Sequence, residues 1–130
     1  ALAPSLPDVT DHLAGFLKAA GDPLRLQVLQ VLGQSSFGVL ELCDIMAMKQ
    51  SGMSHHLKVL HKAGLLDPQR EGNAIFYRRR LNLGSNRPED RAVRQIFELV
   101  DCSALPAHLQ ERIDAIRAQR AAPAQAFFAR

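Results

Sequence analysis

A mainly α-helical domain carrying one small β-hairpin is the fold class this 130-residue sequence predicts. Three observations predict it. Alanine and leucine abound, aromatics make up only 5% and tryptophan is absent, a composition that suits packed helices. From Gln50 to Leu66 apolar side chains recur at helical spacing before the chain exits through Ala63-Gly64-Leu65-Leu66. Downstream, two strand-prone runs flank Glu71-Gly72-Asn73, a turn signature.

The elements follow in order. Residues 1–9 hold Pro4 and Pro7 and are expected to form a loose arm. A first helix is expected from near Asp8 or Thr10 to Gly21, with Leu13, Phe16 and Leu17 apolar. Asp22 should cap a second helix that has Pro23 at its first position, where a missing N–H costs nothing. Its apolar side is Leu24, Val28, Leu29, Val31 and Leu32, and Gly33 is expected to stop it. Phe37 to Met48 reads as a short amphipathic helix with Val39, Leu42, Ile45 and Met46 on one side. A tight polar corner at Lys49-Gln50-Ser51 follows. In the next helix Met53, Leu57, Leu60 and Gly64 share a face. The hairpin is expected as Leu65–Arg70 and Ala74–Arg80. Residues 82–87 are a loop, and Pro88 opens a helix to about Asp101 with Val93, Ile96, Phe97 and Val100 apolar. Leu105-Pro106 starts a last helix striped by Leu109, Ile113 and Ile116 and interrupted at Pro123. Helix, turn, helix, hairpin in this order is a winged helix-turn-helix.

The fourth helix shows its chemistry on its polar faces. Ser51, Ser54, His55, Lys58 and His61 are hydrogen-bonding and none is acidic, which suits base edges flanked by phosphates. Gln50, Ser51, Ser54 and His55 are the expected base readers, and Lys49 and Lys58 the expected phosphate contacts. In the hairpin, Arg70 and Asn73 are placed to reach phosphate or minor groove, with Arg78 a weaker candidate. His56 falls near Met53 and Leu60 on the helical wheel and reads as structural. The charge distribution agrees: residues 49–80 carry +5, residues 1–48 carry −3 and residues 81–130 carry +1. A basic stretch of this kind invites counterion release from DNA, or is simply a solvated face.

The run Glu41-Leu42-Cys43, Gln50-Ser51, Ser54-His55-His56-Leu57-Lys58-Val59-Leu60, Ala63-Gly64-Leu65-Leu66 and Arg70-Glu71-Gly72-Asn73 with Phe76-Tyr77 resembles the ArsR family of bacterial repressors. Asp22-Pro23-Leu24-Arg25-Leu26 is similar to the opening of that family's second helix. The resemblance covers residues 10–102, read as one DNA-binding and dimerisation domain, with residues 103–130 a helical extension or linker. It implies that the first and last core helices pack across a dimer axis. A domain this small has little else to cover that face, so a homodimer reading an inverted-repeat operator in double-stranded DNA is expected. The segment from Arg120 to Phe128 resembles the linker of members fused to an S-adenosylmethionine-dependent methyltransferase domain. That implies a following catalytic domain, a chain cut at residue 130, and an effector related to S-adenosylmethionine or S-adenosylhomocysteine. A helical tail used in dimerisation is the alternative.

Departures from the family pattern narrow the effector. Arsenic-type members carry two cysteines one residue apart after Glu-Leu, whereas here Cys43 is followed by Asp44 and Ile45. Zinc-type members use Asp and His on the last core helix, and residues 88–102 contain no His. A closed thiolate site needs more soft ligands than two cysteines provide, so no metal and no cofactor are expected. Cys43 and Cys102 occupy positions similar to those of relatives that use a cysteine pair as a redox switch; a pair of buried free thiols is the plainer reading. No nucleotide loop, nucleophile elbow or zinc-protease pair is present, so no enzymatic activity is expected. Two cysteines make no disulfide framework, no apolar run approaches about 20 residues, and no secretory signal is visible, so a cytoplasmic protein without a membrane partner is expected. The expected function is transcriptional repression with a non-metal effector; the alternatives are a regulatory or dimerisation module of a methyltransferase, or a cysteine-based redox or metal sensor.

Overall fold

The computed structural model describes residues 9–128. The proposed arm lies almost entirely outside them, as do the side chains of Phe127 and Phe128. Among the described residues six helices and three short strands follow one another: α1 (Val9–Ala20), α2 (Pro23–Val31), β1 (Phe37–Gly38), α3 (Val39–Met46), α4 (Gln50–Ala63), β2 (Leu66–Glu71), β3 (Ala74–Arg79), α5 (Pro88–Asp101) and α6 (Ala107–Phe128). The fold is a winged helix-turn-helix, mainly α with a small antiparallel sheet.

Asp22 caps α2 as its position demands: one carboxylate oxygen accepts from the N–H of Leu24 at 2.8 Å and of Arg25 at 3.1 Å. Val28, Leu29 and Val31 from this helix are fully buried, but Leu24 is exposed, so the buried stripe is narrower than the sequence suggested. Gly33 does not act as a left-handed cap, because it lacks a positive φ. A Cβ at Gly33 would instead lie 2.5 Å from a guanidinium nitrogen of Arg79, so its bareness makes room for that side chain.

Phe37 and Gly38, expected as helix, form a strand. They pair with Tyr77 and Phe76, making β3 the central strand in the order β1-β3-β2. Phe37 is buried, and the backbone N–H of Gly38 donates to Glu41 at 2.9 Å, which fixes the start of α3 at Val39. β2 runs along the outer edge with Pro68 in its middle, a place where a strand tolerates the missing N–H.

One core cluster joins every helix. It contains Phe16 of α1, Leu29 of α2, Leu42 and Ile45 of α3, Met53, Leu57 and Leu60 of α4, and Val93 and Phe97 of α5. Leu109, Ile113 and Ile116 belong to the same cluster, so α6 packs its predicted stripe against α3. Polar contacts fasten it there: Arg112 donates to the Ile45 carbonyl at 2.9 Å, and Arg120 grips the Glu41 carboxylate at 2.5 and 3.0 Å. The Arg120 guanidinium also lies 5.2 Å from the Phe37 ring centre and 5.7 Å from that of Phe76. The backbone of α6 continues through Pro123 to Phe128, where an interruption was expected. Proline removes one bond of the helical ladder without forcing the chain out of the helix.

Candidate nucleic-acid interface

The turn of the helix-turn-helix is Ala47-Met48-Lys49, two residues earlier than expected. Ala47 takes the left-handed conformation at φ 52° and closes α3, and the Met48 N–H returns to the Cys43 carbonyl at 3.0 Å. Gln50 and Ser51 therefore already lie in the first turn of α4. No side chain caps that turn and it holds no acidic residue. Its unpaired N–H groups and positive dipole end suit a phosphate.

Burial of Met53, Leu57 and Leu60 sets the rotation of α4 about its axis. Ser51, Ser54, His55, Lys58 and His61 are consequently all exposed, as are Lys49 and Gln50 at its start. His56 turns inward. It is half-buried, and Arg25 Nη1 lies 3.3 Å from its Nδ1, while Arg25 Nε donates to the Ala19 carbonyl at 2.5 Å. Burial pushes the His56 pKa down, opposed by Asp22 and aided by the neighbouring Arg25 and His55. Neutral His56 is thus a packing and hydrogen-bonding residue that ties α4 to the start of α2. Gly64 closes α4 in the left-handed region at φ 91°, with Leu65 N–H returning to the Leu60 carbonyl at 3.0 Å.

The wing is regular. Residue pairs run from Leu66 opposite Arg79 to Glu71 opposite Ala74, and Gly72 supplies the positive φ of 62° at the two-residue tip. Arg70 and Asn73 are exposed near that tip. Among the described residues, the side chains of Lys49, Gln50, Ser51, Ser54, Lys58, Arg70 and Asn73 make no hydrogen bond or ion pair; His55 touches only the His56 ring, at 5.8 Å between centres.

The basic run Arg78-Arg79-Arg80 behaves differently from its appearance in the sequence. Arg79 donates to both oxygens of Asp101 at 2.5 and 2.8 Å and to the Leu29 carbonyl at 2.7 Å. Arg80 binds the buried Asp90 at 2.6 Å, and Ser85 donates to the same carboxylate at 2.5 Å. These contacts hold the pKa values of Asp101 and Asp90 below the usual carboxylate range, led by the Arg79 and Ser85 hydrogen bonds respectively. The Nε of Arg78 is buried. Part of the positive charge counted for residues 49–80 is therefore spent on acids of α5, and the outward charge rests on Lys49, Lys58, Lys62 and Arg70. Only Asp90 and Asp101, some 10 and 22 residues downstream, would have signalled this.

Cys43 sits half-buried on α3 and Cys102 exposed at the end of α5, and both are free thiols. Burial, then Asp44, pushes the Cys43 thiol pKa up, which works against a reactive thiolate. Among the described residues no group of three or more His, Cys, Asp or Glu side chains is arranged to hold a metal ion, and no helix is long and apolar enough to cross a membrane.

Residues 22–67, spanning α2 to the start of the wing, match the family described as bacterial regulatory protein, arsR family. An HTH-type transcriptional regulator of Methanocaldococcus jannaschii is 36% identical over 92 residues, covering 70% of this chain and 93% of that one. The biofilm growth-associated repressor of Agrobacterium fabrum is 34% identical over 96 residues, 74% of this chain and 75% of the other. Among solved structures, the homodimeric winged helix-turn-helix DNA-binding domain of a possible ArsR-family regulator from Mycobacterium bovis superposes with a TM-score of 0.59 at 26% identity, covering 78% of this chain and 88% of that domain. With these relatives and this fold, the chain belongs to the arsR family of bacterial regulatory proteins, as a DNA-binding transcriptional regulator and not an enzyme.

Proposed function

We propose that this chain is a homodimeric repressor that reads an inverted-repeat operator by placing α4 of each protomer in successive major grooves. The observation that carries this is the outer surface of α4 and the wing tip, where eight exposed polar or basic side chains lack acidic partners. In this reading Gln50, Ser51, Ser54 and His55 meet base edges, Lys49 and Lys58 meet phosphates, and Arg70 and Asn73 follow the backbone into the neighbouring groove.

The dimer follows from what α1 and α5 leave uncovered. Leu17 and Leu99, 54 and 61% exposed, border an apolar groove of about 470 Å³ with Leu26, Ile96 and Val100, and Leu13 of α1 is 40% exposed. A second copy would bury that surface by a twofold operation. The effector we assign is a small metabolite and not a metal. The resemblance of the tail to methyltransferase-linked members supports S-adenosylmethionine or S-adenosylhomocysteine, with a methyltransferase domain following in the full-length chain. Effector binding would favour a dimer geometry whose α4 helices no longer match the groove spacing.

The test is binding of the protein to a duplex from its own upstream promoter at two salt concentrations, beside a Ser54→Ala/His55→Ala variant. Specific, steeply salt-dependent binding that the variant loses is expected. Binding that ignores both salt and the substitutions would refute the reading. Light scattering at micromolar concentration should return twice the chain mass.

A further inference from the structure

We infer that Arg79, Asp101 and Gly33 form a tether through which α5 positions the wing for DNA, an inference that rests on the DNA-binding reading. Arg79 is on β3, the strand that carries one side of the wing. Its side chain is only 12% exposed, and the donors of its guanidinium are spent on two other elements. Nε binds the Leu29 carbonyl of α2; Nη1 and Nη2 bind the two Asp101 oxygens at the last residue of α5. The same group lies 4.9 Å from the centre of the Phe97 ring, also on α5. A planar fork held on both edges and one face has a single orientation, which a lysine would not reproduce.

Gly33 completes the arrangement. A side-chain carbon there would stand 2.5 Å from Nη2 and 2.8 Å from Cζ of Arg79. The guanidinium sits where any other residue at position 33 would put its first carbon. Gln30, one helical turn earlier, donates to the Ser103 carbonyl at 2.7 Å and pins the end of α5 to α2 beside the tether. Besides the tether, the wing is held to the body by the Arg80–Asp90 ion pair, the two-residue strand β1, the packing of Leu66 and Tyr77 on the core, and Arg120 over the Phe76 ring. Asp101 follows Leu99 and Val100, residues of the apolar groove assigned to the second protomer, so the Arg79–Asp101 pair links that surface directly to the strand that leads to the wing tip. Arg79 and Asp101 are positioning residues: neither touches DNA.

A double-mutant cycle tests this. Asp101→Asn removes the anion from a half-exposed carboxylate, and Gly33→Ala displaces the guanidinium without changing any charge. Each is measured for affinity to the promoter duplex in the wild-type background, with Arg70→Ala/Asn73→Ala, and with Lys58→Ala. Each should weaken binding about three- to tenfold in the wild type and less than about twofold once the wing contacts are gone. The full penalty should remain in the Lys58→Ala background. Hydrogen exchange should quicken in β2 and β3 of both variants and stay unchanged in α4. Equal penalties in all three backgrounds, or unchanged wing exchange, would overturn the tether. Wild-type protein that fails to bind the duplex specifically would instead overturn the DNA reading on which it rests.

Discussion

Replacing Ile113 by alanine asks whether α6 is an integral layer of this domain. Ile113 is fully buried in the cluster that includes Leu42 and Ile45 of α3. The substitution removes three carbons, worth about 0.8 kcal/mol each in transfer from water, or about 2.4 kcal/mol. The surrounding groups belong to helices pinned by Arg112 to Ile45 and by Arg120 to Glu41, so the site collapses little and a cavity remains. That raises the expected cost to about 3–4 kcal/mol, within the range for buried Ile-to-Ala changes. Urea denaturation with an unchanged slope should report it, and Tm should fall by about 10 °C. Glu111→Ala, on the exposed face of the same helix, is the control and should change stability by less than about 0.5 kcal/mol. A cost below about 1 kcal/mol for Ile113→Ala would mean that α6 stands off the body in solution, and the packing described here would be wrong.

Other outcomes follow from single contacts. Asp22→Ala should destabilise by about 1 kcal/mol in a thermal or urea melt through loss of the two cap bonds to Leu24 and Arg25. Gly64→Ala forces a side chain into φ 91° and should cost about 1 kcal/mol or more, checked the same way. Because His56 takes up a proton less readily folded than unfolded, it leaves stability untouched well above pH 6.5 and lowers it as pH falls through that value toward the depressed folded pKa. Melts between pH 8 and pH 5 should show that slope, and His56→Gln, which keeps an acceptor for Arg25, should flatten it; the acids Asp22, Asp90 and Asp101 act only in a lower window, near and below pH 4. Lys58→Ala should weaken binding across all DNA sequences and reduce the dependence of log affinity on log salt by about one unit, as loss of one phosphate contact requires.

How far the sequence could be read depended on whether the determining contacts were local. The register of α4 was legible because Met53, Leu57 and Leu60 repeat within one helix and nothing in the tertiary structure opposes them. The Asp22-Pro23 start of α2 and the Gly72-Asn73 tip were legible for the same reason. β1 was not, because two residues carry no period and only pairing with Phe76 and Tyr77 makes them a strand. Ala47 in the left-handed turn carries no mark that distinguishes it from any helical alanine. Every residue expected to read bases or phosphates on α4 and the wing tip lies at the surface, as the helical spacing and the hairpin tip require. The arginines of β3 were not separable, since a phosphate-binding cation and an internal clamp have the same letter. Only the distant carboxylates of α5 tell them apart.

The outer position of β2 has a consequence for crowding. Repressors concentrate on DNA, and an edge strand with open backbone groups is a template on which a neighbour's strand can be added. β2 carries Pro68 at its midpoint, where an arriving chain finds no N–H, and Asp67, Arg70 and Glu71 alternate charge along it. Wings brought side by side on DNA therefore have little to offer one another, and the molecule can be abundant there without polymerising through them.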